Sequence, residues 1–170
     1  MVALPGGMRY LMLVLALSLA ACEGATDTGP NDDSLGRLLT AEQPSITVTR
    51  EYFSGITKPT DLLITSDEDW ARVWAAIYSN RTPVPARPQI NFAREALVLS
   101  ALGTSPGINN LIEGVRIFEH GVVVRVVKER YSERCLVLTA VGQPVHVVRI
   151  QKPQGDVVRV ESRESVISCD

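Results

Sequence analysis

After Phe92 the chain repeats one pattern: a short run of β-branched and apolar residues, a few turn residues, then another run. The runs are Ala96 to Leu102, Leu111 to Phe118, Gly121 to Glu129, Cys135 to Val141, Val145 to Gln151 and Asp156 to Glu161. The breaks between them include Glu119-His120-Gly121, Gly142-Gln143-Pro144 and Lys152-Pro153-Gln154-Gly155. Runs of this length and composition read as strands. Connections this short join antiparallel neighbours, because a parallel neighbour in the same sheet needs a crossover of a dozen or more residues. A further strand is expected over Ser45 to Phe53, where Ile46, Val48 and Arg50 fall on one face.

One helix interrupts the strands. The short apolar run Leu62-Leu63-Ile64-Thr65 leads into Ser66-Asp67-Glu68-Asp69, an N-cap followed by acidic residues that complement the positive end of a helix dipole. Trp70, Val73, Trp74, Ile77 and Tyr78 then recur at helical spacing on one stripe, so an amphipathic helix is predicted over residues 67–79. Aromatic side chains in such a stripe bury large areas against a sheet and are read as core, not as a ligand platform. Arg81 to Pro88 holds three prolines and no periodicity, which makes it an extended loop. The fold class expected is α+β: one amphipathic helix packed on an antiparallel, meander-type sheet of six or seven strands, with closure into a curled or barrel-like sheet left open.

The N-terminal segment is of another kind. Arg9, the apolar run Leu11 to Leu17 and Leu19-Ala20-Ala21-Cys22 have the charge, length and small residues of a secretory signal peptide whose break falls before a cysteine. Leu-Ala-Ala-Cys resembles the bacterial lipoprotein signal, which implies lipidation of Cys22 and attachment to the membrane through acyl chains. Residues 1–21 are then removed from the 170, leaving 149, enough for one domain. Loss of Arg9 takes the formal charge from −2 to −3, which leaves no basic footprint for nucleic acid or anionic lipid. Glu23 follows the cysteine, which by resemblance to Gram-negative lipoproteins favours an outer-membrane location facing the periplasm. Residues 22–44 are polar and punctuated by Gly and Pro, and read as a flexible tether spanning ~25 Å on average, with the folded domain over residues 45–170.

With Cys22 lipidated, Cys135 and Cys169 remain in a compartment where disulfides persist, and they are expected to pair. The alternative is a buried thiol at Cys135 and a free one at Cys169. No motif for zinc, phosphate, another cofactor or a small-molecule substrate occurs: there is no HExxH and no cysteine pair at zinc spacing, and Gly103-Thr104-Ser105-Pro106-Gly107, which has the Gly-x-Ser-x-Gly spacing, leads into a strand-like run and not into the helix that a nucleophile elbow requires. His120 lies in a turn, and His146 alternates with valines in a strand, so both are read as structural. The chain is therefore expected to be no enzyme and to bind no metal.

Gly55-Ile56, Ile64-Thr65-Ser66 into Glu68-Asp69-Trp70 and Trp74, Pro88 to Phe92, Leu97-Val98-Leu99 ending at Gly103, Arg134 to Val137 and Gln143 to Ile150 form an ordered set over residues 47–161. That set resembles the PrcB C-terminal domain family. The resemblance implies a non-catalytic, exported, lipid-anchored domain that binds or stabilises a protein partner, the family being named after an accessory subunit of a surface-associated serine protease complex. An inhibitor presenting surface loops to a protease, or an envelope structural lipoprotein without a dedicated partner, are the alternatives. Many members of that family carry Pro-Thr-Gly-Gly-Tyr after the glycine matching Gly103, whereas here the stretch is Thr104-Ser105-Pro106-Gly107-Ile108-Asn109-Asn110. Gly103, Pro106, Gly107, Asn109 and Asn110 are the candidate partner-binding loop. Arg130 and Tyr131, within the mixed-charge stretch Lys128 to Arg134 between two strands, are a second candidate, since Tyr and Arg are enriched in binding hot spots.

Overall fold

The computed structural model describes residues 34–136 and 140–169, without the side chains of Gln43 and Pro44. The signal segment 1–21, Cys22 and the first part of the tether lie outside the described residues. The fold is α+β, with ten strands and one helix. Its strands are β1 (Leu38–Pro44), β2 (Ile46–Glu51), β3 (Pro59–Ile64), β4 (Glu95–Leu102), β5 (Ser105–Pro106), β6 (Ile108–Phe118), β7 (Gly121–Tyr131), β8 (Val141–Gly142), β9 (Val145–Gln151) and β10 (Val157–Ile167), and α1 spans Asp67–Ile77. The strands form two four-stranded sheets, β1-β6-β7-β10 and β2-β9-β4-β3, and a small β5-β8 ribbon.

Three layers result. Leu97, Leu99, Val145 and Val147 face α1, where Trp70, Trp74, Ile77 and Tyr78 cover them. Val98 and Val148, one residue out of phase, face the second sheet and meet Ile112, Val115, Val122, Val124 and Val126. The central strands β4 and β9 are thus buried on both faces, which is why Ala96 to Leu99 and Val145 to Val148 read as continuous runs instead of alternating with polar residues. Ser66 caps α1 as expected, its Oγ accepting the Asp69 N–H at 3.1 Å. The helix stops near Ile77 because Tyr78, at φ −105° and ψ 20°, leaves helical geometry. The extended loop 81–88 is tied back by the two indoles, Trp70 Nε1–H donating to Pro88 O and Trp74 Nε1–H to Pro85 O.

Four sequence expectations are corrected. The single antiparallel meander is two stacked sheets, and β10 runs parallel to β7, Val157 opposite Gly121 through Ile167 opposite Tyr131. The short connection after β9 makes no hairpin, because β9 and β10 belong to different sheets and the chain steps from one layer to the other. The tether does not extend to residue 44: Leu35 is buried and β1 pairs with β6, Leu38 opposite Phe118. β1 then runs through Ser45 directly into β2 of the other sheet, closing that side of the sandwich. Of the strand expected over Cys135 to Val141, Cys135 lies in a turn at 133–135, Val141 belongs to the two-residue β8, and residues 137–139 lie outside the described set.

Candidate functional site

The strand directions give the sandwich two distinct ends. At one, the Glu119–His120 turn joins β6 to β7 and the chain enters, with Glu119 N–H donating to Arg37 O and His120 N–H to Leu35 O. At the other, β4, β7 and β10 finish and β6 and β9 begin. That second end is held by the ribbon, where Pro106 pairs with Val141 and Ser105 with Gly142. Tyr52 Oη donates to Ala140 O at 2.6 Å and accepts the Gly107 N–H at 3.1 Å, which joins the β2 exit to both ribbon strands. Phe53 bridges to Gln143 and is half exposed, stacked edge-on against Tyr52 with ring centroids 4.8 Å apart.

The two candidate patches fall at this same end, although 20 residues or more separate them in sequence. Ile108, just after Gly107, pairs with Arg130, and Tyr131 ends β7 beside Ile167. Gly103 has φ +69° and sits so close to the Pro59 backbone nitrogen that a Cβ would approach to 2.7 Å, so only glycine suits the turn leaving β4. Gly107, at φ +63°, turns the chain from the ribbon into β6 with open space around it. Asn109 and Asn110 are removed from the loop: both lie within β6, opposite Glu129 and Lys128. Asn110 is 1% exposed, its Nδ2 donating to the carbonyl and hydroxyl of Ser100, so it is core and carries no surface contact. Lys128 to Tyr131 are likewise strand and not loop.

Cys135 and Cys169 are disulfide-bonded, and the bond fastens the end of β10 to the turn after β7. Ser132 N–H donates to Ile167 O beside it. Phe53, Tyr131, Leu136, Val141 and Val166 are all exposed, and all belong to the strand ends and connections at this end. Sequence reasoning missed Phe53, Val141 and Val166. The sequence signal that marks Phe53 is an aromatic pair, Tyr52-Phe53, at a strand exit followed by Ser54-Gly55.

His146 bridges the sheets. It is 1% exposed, its Nδ1 accepts the Ile112 N–H at 2.8 Å, and its Nε2 lies 2.9 Å from Thr47 Oγ1. Because Nδ1 accepts a backbone proton, the neutral ring carries its own proton on Nε2 and donates it to Thr47. This ring is no base for that hydroxyl, so the contact with Thr47 does not make a nucleophile. Burial, and then the charge of Arg50, push its pKa from 6.5 down to about 4. The unfolded chain therefore takes up a proton near pH 6.5 that the folded domain refuses until about pH 4. Stability from this group is complete above pH 6.5 and falls by about 3 kcal/mol as pH drops to 4. Urea unfolding at those two pH values checks it. A His146→Asn variant, weaker at neutral pH, is expected to show a pH dependence smaller by that amount, and an unchanged dependence refutes the assignment.

Among the described residues no group of three or more His, Cys, Asp or Glu side chains is arranged to hold a metal ion. No described helix is long and apolar enough to cross a membrane. Comparison with known proteins found no matching family model, no matching curated protein and no matching solved structure.

Proposed function

We propose that this chain is a lipid-anchored, non-catalytic domain of the bacterial envelope that binds a protein partner through the ribbon end. The observation that carries the reading is the gathering of exposed Phe53, Tyr131, Val141 and Val166 where the backbone is fixed by a disulfide and a two-stranded ribbon. Apolar side chains presented on a rigid frame lose little conformational entropy on binding, which is what an interface anchor requires. The chain enters the described fold at the opposite end, beside Glu119 and His120. The resemblance to the PrcB C-terminal domain family supports an exported protease as the partner class. Pro106, Gly107, Arg130 and Tyr131 remain the proposed contact residues, with Phe53 and Val141 added, while Gly103 is buried and shapes the turn without offering a contact.

Crosslinking in intact cells followed by purification tests both parts. The wild-type chain is expected to capture one stoichiometric exported protein, and Phe53→Asp with Tyr131→Asp to lose it while the purified variant keeps its thermal midpoint. Capture that survives the double variant refutes the surface. Protease activity in the captured protein supports the accessory reading, and its inhibition by the purified domain selects the inhibitor reading instead. Cys22→Ala is expected to move the chain from the membrane to the soluble fraction, and unchanged membrane retention overturns the anchor.

A further inference from the structure

The sandwich is closed on one side by the continuous β1–β2 segment and open on the other, where the last strands of the two sheets, β3 and β10, lie across from each other. On that open side Asp61 of β3, Ser100 of β4, Val126 and Lys128 of β7, and Val160 and Ser162 of β10 line a cleft of about 310 Å³. Within one sheet Asp61 stands opposite Ser100, and within the other Ser162 stands opposite Val126. Ser100 and Val126 are buried and form the floor, Lys128 is half-buried on the wall, and Asp61 and Ser162 are exposed at the mouth.

Two observations distinguish this cleft from a packing gap. Asp61 and Lys128 carry opposite charges in one small space, yet neither makes an ion pair or a side-chain hydrogen bond among the described residues. The second concerns Ser100, through a neighbour that does not itself line the cleft. Asn110, paired in register with Lys128, donates its Nδ2 to Ser100 Oγ while its own Oδ1 is buried with no partner. Because Ser100 Oγ already accepts that N–H, its hydroxyl hydrogen is left to donate. The cleft therefore offers a carboxylate, an ammonium and a floor hydroxyl donor, separated by the apolar surfaces of Val126 and Val160.

We propose that this cleft binds a small α-amino acid with an apolar side chain as its zwitterion. The ligand's ammonium meets Asp61, its carboxylate meets Lys128 and the Ser100 hydroxyl, and its side chain rests on Val126 and Val160. An oppositely charged pair that lines a cleft without closing on itself is complementary to a ligand bearing both charges, and such charge-assisted bonds are the stronger ones. The volume is at the lower end for ligand sites and suits a molecule of amino-acid size. The site lies on the open side of the sandwich, and its lining reaches Pro59 and Leu102 beside the Gly103 turn.

The test titrates the purified full chain in detergent with L-alanine, L-valine and L-leucine at millimolar concentrations, followed by ¹H–¹⁵N NMR. Saturable shifts are expected at Val126, Lys128, Val160 and Ser162 with at least one of the three. The N-acetyl derivative and the amide of that amino acid, each lacking one charge, are expected to bind about tenfold more weakly or worse, which corresponds to loss of one charged contact. Asp61→Asn and Lys128→Gln are each expected to weaken binding by about tenfold with the thermal midpoint unchanged, which separates recognition from folding. Absence of shifts with all three amino acids, equal shifts with the single-charge derivatives, or binding indifferent to both variants overturns the proposal.

Discussion

Trp70→Ala is expected to destabilise the domain by about 4 kcal/mol, at the upper range for a single core truncation. Trp70 is 0% exposed and sits where α1 meets the β4–β9 face, packed edge-on against Trp74 with centroids 5.0 Å apart. Truncation removes the largest fully buried side chain and leaves a cavity that β4 and β9 cannot fill, since on their other faces Val98 and Val148 are packed against Ile112, Val122 and Val124 of the second sheet. A second effect is local. The indole N–H holds Pro88 O at 3.0 Å, one of the two indole ties on the loop 81–88. Trp70→Phe keeps most of the apolar volume but not that bond, and is expected to lose roughly 2 kcal/mol. Urea unfolding measures both losses, and limited proteolysis within residues 81–88 should rise in Trp70→Phe before global stability is lost. Equal stabilities for the wild type and the alanine variant would contradict the core assignment.

Removal of the Cys135–Cys169 bond by the double alanine substitution is expected to cost about 4 kcal/mol, the chain-entropy value for a separation of 34 residues. The topology makes this bond matter beyond its loop length. β10 is the last strand of its sheet, has β7 as its hydrogen-bonding neighbour, and reaches it by stepping between layers instead of through a hairpin. Its outer face carries Glu161 and Arg163, ion-paired to Arg116 and Glu113, which suits an exposed edge but adds little stability, since such pairs contribute about 0–1 kcal/mol each. The disulfide is thus the strongest fastening at the β10 terminus. Urea midpoints of oxidised and reduced protein should differ accordingly, with amide exchange in the reduced form fastest at residues 163–167. A thiol count on the unreduced folded protein should find neither cysteine reactive. Identical midpoints would mean that β10 is held by its backbone ladder alone.

The sequence carried the local elements well. α1 was legible because five apolar residues recur at helical spacing behind a serine cap, and the strand runs after residue 95 because valine-rich stretches alternate with turn residues. The cysteine pairing followed from parity once Cys22 was set aside. The candidate surface was half legible: Gly103, Gly107, Arg130 and Tyr131 were named from sequence, but not that they share one end with Phe53 and Val141. Asn110 was misplaced because an Asn-Asn pair after glycine looks like a turn, whereas its amide is consumed by Ser100 inside the core.

By itself the amino-acid sequence determined α1, β2 and the long strands after residue 95, the α+β class and the cysteine pair, because helical period, β-branched runs and turn chemistry act over a few residues. Tertiary structure alone decided that the strands divide into two sheets, that β10 lies parallel to β7, and that the stretch before residue 45 joins the fold. A short connection reports how far the chain travels, not which layer it enters, and a strand such as β1 shows no apolar period when the pairing partner supplies its stability. The same stacking brought Asp61 and Lys128, distant in sequence, to one cleft, which no local pattern could announce.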